Sequence, residues 1–205
     1  MQPRLLPLFP LGLVLFPGER LPLHIFEDRY KKMIETVERS RGEFGVVLAS
    51  EKGIANCGCT AAVDEVLRRY PDGRSDILAV GRRRFEINRV NDEEPYLRGD
   101  VYFYDDEDDA LGDPEIRRKL AEIGEAMGEG KIDAADPKLS FALAQRISDT
   151  DVRQVLLTLR SEAARIEHLA QVLPRTAAQR KLMETMRTLA PRNGHAKHLR
   201  GPAQS

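Results

Sequence analysis

The stretch from Leu5 to Phe16 is rich in Leu, Val and Phe, but Pro7 and Pro10 interrupt it and Pro17 closes it. Proline removes a backbone donor and clashes with the preceding helical turn, so no regular helix runs through these residues. Apolar content that cannot be helical is left as short buried strands joined by bends. The same prolines argue against a secretory leader, whose apolar segment is helical, and no small-x-small cleavage site precedes Glu19 and Arg20. The stretch is also too short to span a membrane. Pro17-Gly18 signals a turn, and Leu21 to Phe26 reads as the next strand.

Further along, the period changes twice. Glu27 to Arg39 carries Tyr30, Met33, Ile34 and Val37 at helical spacing, with acids in its first turn, and Gly42 is expected to end it. Phe44 to Leu48, Thr60 to Tyr70, Ser75 to Val80, Arg84 to Val90 and Leu97 to Tyr104 read as strands. Pro71-Asp72-Gly73 is a hairpin turn, and Gly81 separates two of the strands. After the acidic run Asp105 to Asp109, expected to be a solvated linker, every segment reads helical. Asp113-Pro114 opens a helix with Ile116, Leu120, Ile123 and Met127 on one face. Asp136-Pro137 opens another with Leu139, Phe141, Leu143 and Ile147. Asp149 or Asp151 caps a third with Val152, Val155, Leu156 and Leu159. Ser161 caps a fourth with Ile166, Leu169 and Val172, which Pro174 is expected to end. Thr176 opens a last basic helix to about Leu189, and residues 191–205 have the composition of a disordered tail. Strands first and helices afterwards predict an α+β fold. The units are drawn at 1–106, β-rich with one inserted helix, and at 107–190, a helical bundle.

Composition narrows the function by exclusion. The 205 residues carry 32 Lys and Arg against 33 Asp and Glu, a net charge of -1, so nothing global draws the chain to nucleic acid or an anionic membrane. There is no G-x-x-x-x-G-K-[ST] phosphate loop and no G-x-S-x-G elbow. His24 sits inside a strand and is read as structural. His195 and His198 fall in the tail. Cys57 and Cys59, two apart, share one face of a strand; a disulfide between them would be strained, and the metal site they could join lacks further ligands nearby. Free thiols suit a reducing cytoplasm. These readings predict a chain that is not an enzyme, uses no ATP, and holds neither cofactor nor metal.

One resemblance gathers these features. Leu8-Phe9-Pro10-Leu11, Val14-Leu15-Phe16-Pro17-Gly18 and Leu21-Pro22-Leu23-His24-Ile25-Phe26-Glu27-Asp28-Arg29-Tyr30 closely resemble the opening of the N-terminal domain of Lon proteases. Phe44-Gly45-Val46-Val47-Leu48, Gly58, Asp72-Gly73-Arg74, Gly81 with Arg84-Phe85, and Pro95-Tyr96-Leu97 continue the likeness, which loosens over the helices. Cys59 stands where the family often has Thr, and the basic C-terminal helix lies outside the motif. The resemblance implies a PUA-like β pseudo-barrel followed by a helical bundle. It implies a non-catalytic module that binds unfolded or tagged polypeptides, separate from ATPase and peptidase domains, whose clients a protease would cleave in trans.

Candidates for a polypeptide-binding surface are Leu67, Tyr70, Tyr96 and Phe103, which lie on strands near turns; the competing role for each is core packing. Glu27 and Arg29, at a strand-to-helix junction, are read as structural. The alternative function is RNA binding by a PUA-like barrel, with Arg82, Arg83 and Arg84 beside Phe85 as the basic patch.

Overall fold

A computed structural model describes residues 5–189; the tail 191–205, with His195 and His198, lies outside the described residues. Six strands come first: β1 (Leu6–Leu11), β2 (Arg20–Ile25), β3 (Phe44–Ser50), β4 (Gly53–Arg69), β5 (Ser75–Asn91) and β6 (Arg98–Tyr104). One helix, α1 (Asp28–Ser40), is inserted between β2 and β3. The α+β class and the inserted helix are as the sequence predicts. Strand β1 runs parallel to β3 and antiparallel to β6, and β6 pairs in turn with β5. Thus β1, β3, β4, β5 and β6 close a ring, and β2 hangs on β5 outside it. Pro22 is tolerated in β2 because, among the described residues, one side of that strand has no partner and needs no ladder donor.

The break expected at Gly81 is instead a corner within one continuous strand. Residues 75–80 of β5 pair with β2, and residues 84–91 pair with β6. Between these, the register with β4 slips by a bulge, so the strand bends where it exchanges one neighbour for the other. The Pro17-Gly18 turn lies against this corner: Gly18 N–H donates to the Gly81 carbonyl and Gly81 N–H to that of Glu19, both at 2.9 Å. A Cβ at position 81 would sit 2.0 Å from the Phe16 carbonyl oxygen. Gly81→Ala is therefore expected to cost about 2–3 kcal/mol through forced backbone movement, read as a lower midpoint in urea unfolding.

Helices α2 (Pro114–Ala126), α3 (Leu139–Ala144), α4 (Thr150–Thr158) and α5 (Glu162–Leu189) follow. Two of the caps read from sequence are in place: the Asp113 carboxylate accepts from Glu115 and Ile116 N–H, and Asp149 rather than Asp151 caps α4. Asp136 does not cap α3, whose N-cap residue is Lys138, and instead accepts the Lys138 N–H in the turn before it. Three further expectations need correction. Helix α1 turns out of helical geometry at Arg41, in the left-handed region at φ 49°, one residue before Gly42. Val155 does not join the apolar face of α4 and is exposed. Helix α5 runs through Pro174. A proline inside a helix removes one ladder bond; here Leu173 before it is fully buried and Ala177 after it still packs against the core, so the helix keeps its direction across the lost bond.

One apolar core joins strands to helices. Phe16, Cys59 and Ala61 of the β-rich part belong to the same cluster as Leu143, Leu157 and Leu169 of the helices, and Phe16 stacks on Phe141 at 5.7 Å. The barrel interior holds a smaller cluster around Leu8, Val47 and Phe85.

The acidic run is not a free linker. Asp106 accepts from Arg84 at 2.5 Å and from Arg165 at 2.7 Å. Arg165, wholly buried, also reaches Glu162 at 3.0 Å, and Glu162 meets Arg117 at 3.4 Å. Glu107 N–H donates to the Arg160 carbonyl, and Asp108 accepts from Ser161. Burial alone would raise the Asp106 carboxyl, but Arg165 and Arg84 outweigh it and hold it below the usual carboxylate range. The stability this contributes is therefore present above the unfolded value of about 3.9 and is lost as pH falls through the lower folded value. Asp106→Asn is expected to cost about 3 kcal/mol at neutral pH, because it leaves a buried guanidinium short of charge. It should also flatten the loss of stability on acidification, measured by thermal unfolding across about pH 2–7.

Candidate functional site

The hairpin joining β4 to β5 ends in a tight turn in which Gly73 takes φ 83° and Tyr70 N–H donates to the Arg74 carbonyl. Strand β2 ends beside it: His24 pairs with Asp76, and Asp76 pairs with Arg68, so these three side chains share one face. His24 Nδ1 lies 2.5 Å from Asp76 Oδ1, and the Tyr70 hydroxyl donates to Asp76 Oδ2 at 2.8 Å. Those hydrogen bonds from His24 and Tyr70 hold the Asp76 carboxyl low, and the bond to Asp76 raises the Tyr70 phenol.

Three rings follow in sequence across this surface. His24 meets Tyr70 edge-on and Phe26 face-on, each at 5.9 Å. Arg68 and Arg74 cover the Tyr70 ring at 4.7 and 4.9 Å. Phe26 is 59 % exposed, directly after the end of β2. Leu67 owes its 52 % exposure to register: Val66 faces Ile77 and Arg68 faces Asp76, so Leu67 is the extra residue of a bulge and is turned away from the core.

Of the four sequence candidates, Leu67 and Tyr70 thus lie at this end of the sheet. Phe103 is half-exposed but pairs with Phe85, at the other end of β5 and on the order of 25 Å along the strand from Ile77. Tyr96 is 7 % exposed and belongs to the core, so it presents almost no surface. Phe26 and His24 were missed as surface residues because a strand of apolar neighbours hides which positions point outward. The signal available was the alternation of β2 with the polar residues Arg20 and His24 on one face.

The basic triplet divides in the fold. Arg84 is buried, paired with Asp106 and donating to the Leu159 carbonyl at 2.6 Å, while Arg82 and Arg83 stay exposed. They line a cleft of about 520 Å³ between sheet and helices, where Asp105 and Asp109 set opposite charge beside them. Glu27 and Arg29 pair with each other at 2.7 Å, and the Glu27 carbonyl accepts from Tyr30 and Lys31 N–H at the start of α1.

Among the described residues no group of three or more His, Cys, Asp and Glu is placed to hold a metal ion. Both cysteines lie inward on β4 as free thiols. Burial pushes the Cys59 thiol up to about 12. Burial also raises Cys57, although its contact with the Tyr104 hydroxyl at 2.7 Å pulls the other way. Neither is a reactive nucleophile. At about pH 8 a disulfide reagent such as DTNB should leave both thiols unmodified in the folded protein and titrate both after denaturation.

The family profile of the ATP-dependent protease La (LON) substrate-binding domain matches residues 5–188. The chain belongs to the Lon substrate-binding domain family. It is 28 % identical over 126 residues to the Lon protease of Parabacteroides distasonis, covering 58 % of this chain and 15 % of that one. It is 31 % identical over 129 residues to the Lon protease of Flavobacterium johnsoniae, covering 16 % of it. The chain thus spans about a sixth of the length of these curated relatives. A Lon N-terminal domain protein from Xanthomonas campestris superposes with a TM-score of 0.68 at 26 % identity, covering 82 % of this chain and 98 % of that one. The N-terminal domain of the Mycobacterium avium complex Lon protease, at 17 % identity and a TM-score of 0.60, shares the fold.

Proposed function

We propose that this member of the Lon substrate-binding family is a non-catalytic polypeptide-binding module that grips unfolded or tagged chains at the β2 and β4–β5 end of its sheet. The observation that carries the reading is the contiguous aromatic surface of Phe26, His24 and Tyr70, with Leu67 turned outward by its bulge. Exposed apolar area set among arginines is the composition of binding hot spots. Pro22 interrupts the donors of the free β2 edge, which favours gripping by side chains over the addition of a long peptide strand.

In this reading the unit drawn at 1–106 carries the gripping surface and the unit drawn at 107–190 braces it. ATP has no part in the grip, and cleavage belongs to a protease acting in trans. The two buried free thiols are compatible with a reducing, cytoplasmic setting.

The test is fluorescence anisotropy of a labelled, permanently unfolded polypeptide, such as reduced and carboxymethylated α-lactalbumin, titrated with the whole chain. The double variant Phe26→Ser, Leu67→Ser is expected to weaken binding about tenfold, roughly the loss of one or two hot-spot contacts. Its Tm should be unchanged, because both side chains are exposed. Tyr96→Ser should instead lower Tm. Binding to the unfolded polypeptide no tighter than to native, calcium-loaded α-lactalbumin, or undiminished by the double variant, would overturn the proposal.

A further inference from the structure

The near-zero net charge conceals a division of the chain. Residues 175–205 hold seven of the 32 Lys and Arg but one of the 33 Asp and Glu, which makes that segment about +6 and leaves about −7 on residues 1–174. The basic segment begins as the second half of α5. Up to Leu173 this helix turns Ile166, Leu169 and Leu173 onto the body, all fully buried. From Ala178 to Thr188 every residue is exposed, including Leu182, Met183 and Met186 at 56, 68 and 56 %.

Helical phase shows where those side chains point. Nine residues separate Leu173 from Leu182, about two and a half turns, so Leu182 leaves the helix on the side opposite Leu173. Met186, one turn on, shares the Leu182 side, and Met183 borders it. The register that faces the body passes to Arg180, Glu184 and Arg187, with Arg180 and Glu184 paired at 3.3 Å. A straight helix therefore cannot lay its Leu and Met stripe on its own body. Lys181 flanks the stripe on one side and Arg187 on the other, and neither has an ion-pair partner among the described residues.

We propose that this end of α5 docks on an anionic lipid surface. It lies in the interface with Leu182, Met183 and Met186 toward the acyl chains and Lys181 and Arg187 among the headgroups. A basic helix with an apolar stripe is suited to that boundary, and long cationic side chains reach back to the charged layer. A nucleic acid would match the charge but leave the Leu and Met stripe in water. A second copy of the helix would match the stripe but bring cations of like sign together. No described helix is long and apolar enough to cross a membrane, so the attachment is at the surface, reversible and weakened by salt.

Vesicle co-sedimentation of the whole chain tests this. Vesicles of equal parts phosphatidylglycerol and phosphatidylcholine should bind at least about fivefold more protein at low salt than vesicles of phosphatidylcholine alone. Two variants separate the contributions: Leu182→Gln with Met186→Gln, and Lys181→Gln with Arg187→Gln. Each is expected to reduce binding to the anionic vesicles about fivefold, with Tm and unfolded-polypeptide binding unchanged, because all four side chains are exposed and none belongs to the hairpin surface. Equal binding to both vesicle types would overturn the proposal. So would undiminished binding by the Leu182 and Met186 variant. A concentration-dependent dimer in light scattering that this variant abolishes, without lipid binding by the wild type, would reassign the stripe to self-association.

Discussion

The helices are held to the barrel by a buried chain of charges: Arg117, Glu162, Arg165, Asp106 and Arg84. Three guanidinium groups share two carboxylates, and the surplus is met by backbone carbonyls. Arg165 and Arg84 both donate to the Leu159 carbonyl, at the exposed end of the α4 ladder, and Arg117 donates to those of Ala134, Leu111 and Asp136. Glu162 takes up the Ser140 N–H and hydroxyl besides its two arginines. Such a cluster is costly to desolvate, and in this docking of helices on sheet every charged member has a partner. Arg153 does the same on the other flank, reaching Glu19 at 2.7 Å and the Val14 carbonyl at 2.6 Å while lying over Phe16.

That docking leaves particular surfaces open. The corner at Gly81 divides β5 between two neighbours, so among the described residues β2 is bound along one side and free along the other. The free strand ends in Phe26, and the hairpin carrying Tyr70 and Leu67 ends beside it. An aromatic surface therefore includes the strand that the closed ring leaves outside. Closing the barrel and exposing an aromatic surface are two consequences of one bent strand.

Much of this was legible along the chain. Prolines forbade a helix near the N-terminus, the Pro71-Asp72-Gly73 turn placed the hairpin, and Asp113 and Asp149 marked where helices begin, because caps and turns are local chemistry. Interactions across distance were less so. Asp106 belongs to a run that reads as solvated, and Arg84 to a triplet that reads as a basic patch; their pairing spans strand and loop, and nothing in either local pattern announces it. Pro174 reads as a stop until the packing of Leu173 and Ala177 on either side of it is known. Of the surface candidates, Tyr70 joins the rings of His24 and Phe26, Leu67 is exposed on the same hairpin and Tyr96 goes to the core, since exposure is decided by the neighbours a strand acquires.

The sequence by itself determined the class of fold, the order of strands before helices, the positions of most caps and turns, and the family likeness, all of which rest on short-range steric and hydrogen-bonding rules. Only the tertiary structure decided which charges are buried, where β5 changes partner, which aromatic residues share a surface, and that the apolar stripe ending α5 faces away from the body. Those depend on groups far apart in the chain being brought within a few ångströms, and on the phase of a helix relative to what it packs against.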